Sequence, residues 1–250
     1  MYIVVSILSL LIIWQIASYL LDSEILLPDV KTVFKDLLGL LFMKSFSLDI
    51  LFTVYRAFKS FVIIVIAASI LGIMGGRLKP IGYYLSPFLT VLKATPVMSV
   101  ILLAFIWFKT GNVPVFSAFL MAFPIMYIQM ENGFNNLEEE MNQMCSIYNF
   151  SKKDKLTHYL IPYLSKSFVL GAKQALSMIW KVVIAAEVLT VPNYGVGAKM
   201  QLSQMQLNTS SVLAWTLVAI ILTSLSDLLF FTISKIITKL INSRKEKVAL

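Results

Sequence analysis

One apolar run carries four side chains able to do chemistry. In GAKQALSMIWKVVIAAEVL, residues 171–189, Gln174, Ser177 and Lys181 follow one another at spacings of three and four. At about 100° per residue these three fall on a single stripe of a helix. Glu187 follows further along the run, about 120° around the helix from Lys181. Inside a membrane span such groups are costly and mark ligand or ion pathways. A cation flanked by an amide and a hydroxyl suits an anionic or zwitterionic solute, and on this reading Gln174, Ser177, Lys181 and Glu187 line a pathway in the bundle interior. The structural alternative is that Lys181 pairs within the chain, with Asp227 or Glu187, or snorkels toward the interface.

A second polar stretch, QMCSIYNFSKKDKLTHYLIPYLSKSF (residues 143–168), holds four lysines and the chain's single cysteine and single histidine. Cys145 and His158 lie 13 positions apart with no acidic residue placed to orient the imidazole, so the pair reads as packing and loop residues rather than a nucleophile and its base. One cysteine forms no intramolecular disulfide. The chain has no GxxxxGK[ST] phosphate loop, no HExxH and no CxxC, so neither nucleotide binding by that route nor a metal-dependent enzyme is expected. YGVG at 194–197 lacks the third glycine of a dinucleotide site and reads as a loop. No catalytic residues, metal ligands or cofactor are expected in this chain.

Composition supplies the setting. Of 250 residues 58% are hydrophobic and 14% charged, with mean hydropathy +0.83, whereas soluble domains carry about 25% charged residues. The apolar residues come in blocks, so the chain reads as an all-α membrane protein lying in a lipid bilayer. About 20 apolar residues cross a bilayer. Six segments meet that length: roughly 2–21, 59–76, 85–108, 113–130, 167–191 and 211–240. The first has no basic leader region and reads as a retained span. Pro87, Pro96 and Pro124 fall inside the third and fourth spans and imply bent helices around a shaped interior. LLPDVKTVFKDLLGLLF, residues 26–42, has apolar residues at helical spacing and reads as an amphipathic helix at the outer interface. With no linker and no internal repeat, residues 1–250 read as one domain.

The net charge of +8 is explained without nucleic acid. Lysines and arginines gather at 77–93, 152–166 and 235–247, and by the positive-inside bias these regions face the cytoplasm. An even number of spans then places both termini inside, and the 131–166 loop is cytoplasmic.

That loop carries a resemblance. In QMCSIYNFSKKDKLTHYLIP, Gln143-Met144-Cys145, Asn149 and Ile161-Pro162 stand where the cytoplasmic loop of bacterial ABC importer membrane subunits has EAA, a glycine and an apolar–Pro pair. DILFTVYRAFKSFVIIVIAASILGIMGGRLKPIGYYLSPFLTVLKATP, VILLAFIWFKTGN, IWKVVIAAEVL and YGVGAKMQ follow in the order found in the nitrate/sulfonate/taurine-type branch of these permeases, which the chain resembles over nearly its whole length. Asn149 suits a turn where glycine stands in the family, since Asn tolerates left-handed backbone. The resemblance implies a type I importer permease bundle of the bacterial cytoplasmic membrane. Two permease subunits would form the pathway, a cytosolic ATPase dimer would bind ATP and Mg²⁺, and an extracytoplasmic binding protein would deliver the solute. It also implies that Gln143, Met144, Cys145, Tyr148, Asn149, Phe150, Ile161 and Pro162 form the coupling segment gripped by the ATPase. The rival expectation is an ATP-independent secondary transporter or channel, for which no inverted repeat is visible in the sequence.

Overall fold

The computed structural model describes residues 2–137, 151, 153 and 155–246. The described residues build helices and no strands: α1 (Tyr2–Leu21), α2 (Val30–Leu41), α3 (Phe46–Arg77), α4 (Lys79–Ala94), α5 (Val97–Trp107) and α6 (Val113–Asn135), then a π-helical turn (Lys155–Leu160) running into α7 (Ile161–Thr190), α8 (Val196–Met205) and α9 (Thr209–Glu246). Helices α1, α3, α6, α7 and α9 are long and apolar enough to cross a membrane, and α4 with α5 makes a sixth crossing if their 101° bend is taken as one broken span. The molecule is a multi-pass membrane protein.

Lipid tails are as apolar as leucine, so burial alone does not drive helices together in a membrane; close packing of small residues does. The core follows that rule. Helices α3, α6 and α7 pack around Ile64, Ala68, Ala118, Ala122, Met126, Tyr127, Ala172, Ala175, Ile179 and Val183, all buried. Where α3 crosses α6, a Cβ added at Gly72 would stand 2.7 Å from the Tyr127 carbonyl oxygen and 2.7 Å from the Met130 Cβ, so only glycine permits this approach. A second layer joins α2, α8 and α9 through Leu40, Val196, Ala214, Trp215 and Val218, with the Trp215 ring 5.7 Å from that of Phe46.

Helix α2 starts at Asp29, whose carboxylate accepts from the Thr32 N–H at 3.1 Å. Hydrogen bonds from Thr32 hold the Asp29 carboxyl below its ordinary range. The turn before α2 is stitched to α1, with Trp14 Nε1 donating to the Pro28 carbonyl and Ser18 Oγ to the Leu27 carbonyl. Beyond that seam α1 stands apart: of its described side chains only Ser18 is buried.

Three elements differ from the sequence expectation. The second span begins at Phe46 rather than near residue 59, because Asp49 and Arg56 look like loop residues in the sequence yet are buried at 0% and 5% exposure. The third span is not one bent helix but two helices, α4 and α5, broken at Thr95-Pro96; Pro96 cannot continue the helix and biases Thr95 to its extended conformation, φ −71° and ψ 128°. The stretch read as a loop at 194–197 runs into a helix, α8, whose first residue is Val196.

Candidate functional site

Helix α7 is two-faced. Ala172, Ala175, Leu176, Ile179, Val182, Val183 and Ala186 are buried against α6 and its neighbours. The other face carries Lys173, Gln174 and Lys181, all exposed, and Ser177, half-buried. The predicted stripe of Gln174, Ser177 and Lys181 therefore exists. It does not face the interior of this chain's own bundle; it is open on the outside of the α6–α7 pair. Gln129 of α6 joins it, donating through Nε2 to Gln174 Oε1 at 3.2 Å. Lys173 extends it, a member the sequence reading lacks although Lys173, Ser177 and Lys181 recur at spacings of four. Among the described residues neither Lys173 nor Lys181 makes a side-chain hydrogen bond or ion pair, so the internal pairing of Lys181 with Asp227 or Glu187 is not formed.

Glu187 is 0% exposed and, among the described residues, makes no hydrogen bond or ion pair to the exposed stripe with which the sequence groups it; its side chain is engaged elsewhere. Its partner is Arg56 of α3, whose Nη1 lies 2.5 Å from Glu187 Oε1. Asp49, Thr53 and Arg56 recur at spacings of four and three, which brings all three to one face of α3. Thr53 Oγ1 stands 2.9 Å and 3.0 Å from the two Glu187 carboxylate oxygens. Arg56 Nη1 also donates to the Tyr194 carbonyl at 2.8 Å.

The start of α8 completes this network. The first amides of a helix have no partner within it and carry partial positive charge. Here the Gly195 N–H donates to Asp49 Oδ1, the Val196 N–H to Thr53 Oγ1 and the Gly197 N–H to Glu187 Oε2, at 3.1, 2.9 and 3.1 Å. Lys199 Nζ lies 3.7 Å from Asp49 Oδ2. Two carboxylates thus meet two cations, and the buried charge is balanced. The glycines are required by this closeness: a Cβ at Gly197 would stand 2.4 Å from the Ile184 carbonyl oxygen, and one at Gly195 would stand 2.8 Å from the Glu187 carboxylate. Helix α7 is stopped just before by Val191 in left-handed backbone, φ 41° and ψ 61°, ahead of Pro192. What the sequence offers as a scrap of glycine pattern is an anion cradle at a helix start, fastening α8 over the ends of α3 and α7.

Gln143, Met144, Cys145, Tyr148, Asn149 and Phe150 lie outside the described residues. Ile161 and Pro162 open α7. Ile161 is exposed, and Pro162 is buried just past the π-helical turn. The Tyr163 hydroxyl donates to the Asn136 carbonyl, tying the start of α7 to the end of α6. Among the described residues no three His, Cys, Asp or Glu side chains are grouped to hold a metal ion.

Comparison with known proteins gives the arrangement its context. The family model for the binding-protein-dependent transport system inner membrane component matches residues 65–244, which contain the α7 stripe, Glu187, α8 and the 138–154 segment. A protein of Methanocaldococcus jannaschii, named as an ABC transporter permease, is 24% identical over 191 residues, 74% of this chain and 72% of its own length. A Bacillus subtilis protein named as the aliphatic sulfonates transport permease SsuC is 24% identical over 217 residues, 86% of this chain and 78% of its own. The nitrate import permease protein NrtB of Synechococcus elongatus is 25% identical over 191 residues, 72% and 68% of the two chains.

Proposed function

This chain belongs to the family of binding-protein-dependent transport system inner membrane components, and from that premise we propose that it is the pathway-forming permease subunit of an ATP-driven importer for a small anionic solute. The observation that carries the anionic part is the pair of exposed lysines on α7, unpartnered among the described residues. Helix α7 has 30 residues, so it spans about 45 Å, and both Lys173 and Lys181 fall within the central 30 Å or so that hydrocarbon would occupy. Charged side chains at that depth face a water-filled cavity or a partner rather than lipid. A second copy of the chain, packed so that the two stripes look at one another across an aqueous path, gives them such a setting and supplies four cations to the solute.

The relatives fit this reading: one is named for aliphatic sulfonates and one for nitrate, both anions. The uncovered length of α1 offers the second copy a surface to pack on. On this reading a cytosolic ATPase pair binds ATP and Mg²⁺ and grips the segment containing Gln143, Met144, Cys145, Tyr148, Asn149 and Phe150, with Ile161-Pro162 returning the chain to the membrane. An extracytoplasmic binding protein delivers solute at the α8 end, and both termini lie in the cytoplasm of a bacterial cell.

Thiol labelling tests the placement of the stripe. In a Cys145→Ser background, Lys173→Cys and Lys181→Cys are expected to react with a membrane-impermeant maleimide when the assembled permease is in a bilayer, because water reaches them. Cysteines placed at Ile66 and Ile220, exposed on the α3 and α9 surfaces, serve as lipid-facing references. Labelling of the stripe no faster than those references contradicts a hydrated pathway along α7.

A further inference from the structure

The C-terminal parts of α3, α6 and α9 and the start of α7, with the π-helical turn, line a half-open chamber of about 830 Å³. It has no part in the stripe or in the outer network. Its wall is apolar, with Phe134, Leu164, Phe168 and Phe230 among its lining residues, and among the described residues the charged ones that line it are both cations: Arg77, the last residue of α3, and Lys155, the first of the π-helical turn. Arg77 is exposed and Lys155 half-buried, and among the described residues neither side chain makes an ion pair. Arg77 ends α3 and Lys155 begins the π-helical turn, so both cations stand where helices of the bundle terminate.

We propose that this chamber is a binding site for an anionic phospholipid of the inner leaflet, one acyl chain lying in the apolar chamber and the headgroup phosphate held by Arg77 and Lys155. A zwitterionic lipid would bring its own cation to two others, and a free phosphate would leave the apolar wall bare. Basic pockets between spans on the cytoplasmic side recognise anionic headgroups on these terms. The site ties the lipid to α3, α6, α7 and α9 at once, with Leu137 and Lys155 on its wall. It stands apart from the proposed transport function: a lipid could bind here whatever the permease carries.

The test uses the purified full-length chain and native mass spectrometry, with phosphatidylglycerol, phosphatidylcholine and glycerol phosphate added in turn. Wild type is expected to retain phosphatidylglycerol in preference to phosphatidylcholine. Arg77→Gln with Lys155→Gln should weaken phosphatidylglycerol binding by about tenfold or more, at roughly 1 kcal/mol for each basic residue, while leaving phosphatidylcholine unchanged. Ser165→Leu, which narrows the chamber and keeps both cations, should weaken it as well, with thermal denaturation confirming that each variant is folded. Equal retention of the two lipids, or unchanged phosphatidylglycerol binding in the variants, overturns the proposal. So does displacement of the lipid by glycerol phosphate, which would make the site a simple phosphate site. Wild type that retains no lipid, with unchanged stability in the double variant, also overturns it.

Discussion

Glu187→Ala is expected to destabilise the bundle by about 3–5 kcal/mol, because it leaves the Arg56 guanidinium buried without its counter-charge. The same substitution strips the acceptor from the Gly197 N–H and from Thr53 Oγ1, so α8 loses its fastening to α7. Arg56→Met is expected to cost a similar amount by stranding the Glu187 carboxylate. The double variant Arg56→Met with Glu187→Leu should cost no more than either Arg56→Met or Glu187→Leu alone. A buried pair returns little more than its own desolvation, and apolar residues of similar volume replace it at small net cost; what remains is the orphaned amide of Gly197, about 1–3 kcal/mol. Thermal denaturation of the purified chain in detergent, with limited proteolysis of the 191–208 region as a local readout, measures the cycle. Additive losses in the double variant would show that Arg56 and Glu187 stabilise the protein through separate contacts.

The second large effect concerns transport. Lys181→Met is expected to reduce solute uptake by about tenfold or more at low substrate, since a hydrogen bond to a charged group contributes about 1.5–3 kcal/mol. Lys173→Met should act in the same direction, and the double variant should be nearly inactive. Both positions are exposed on one face of α7, so the variants should melt as the wild type does, in contrast to those at Glu187. Lys181→Arg should retain substantial uptake, because charge rather than shape is what the stripe supplies. Unchanged uptake in the double variant would make the lysines structural or interfacial.

These contrasts follow from what a single sequence makes legible. Block hydropathy locates the spans to within several residues, except where charge is hidden. Asp49 and Arg56 read as a polar approach to the second span, whereas both are neutralised by groups more than 130 residues away in the chain, among them Glu187 and Gly195. Spacing cannot reveal such pairing, so α3 reads too short in the sequence and Glu187 falls in with Lys181. The cradle at Gly195 and Gly197 is equally hidden: α8 has only 10 residues and no strong apolar face, and the glycines serve close approach rather than a motif. By contrast, the stripe of Gln174, Ser177 and Lys181 is visible from helical spacing alone, because polar side chains three and four apart must share one face of the span. Its outward direction is not, since exposure on a lone chain depends on which of two faces α6 covers. Thr95-Pro96 shows a third limit. Proline announces a break in the hydrogen-bond ladder, yet it does not say whether the helix bends slightly or turns by 101°.

The central claim is that this chain moves an anion only when a partner hydrolyses ATP. The most direct measurement is uptake of a radiolabelled alkanesulfonate or of nitrate into proteoliposomes holding the permease, with its ATPase inside and its binding protein outside. Accumulation that requires ATP, the ATPase and the binding protein together, and that falls away in Lys173→Met with Lys181→Met, is the predicted result. Uptake of the same size by the permease alone, with neither ATP nor a partner present, would contradict it.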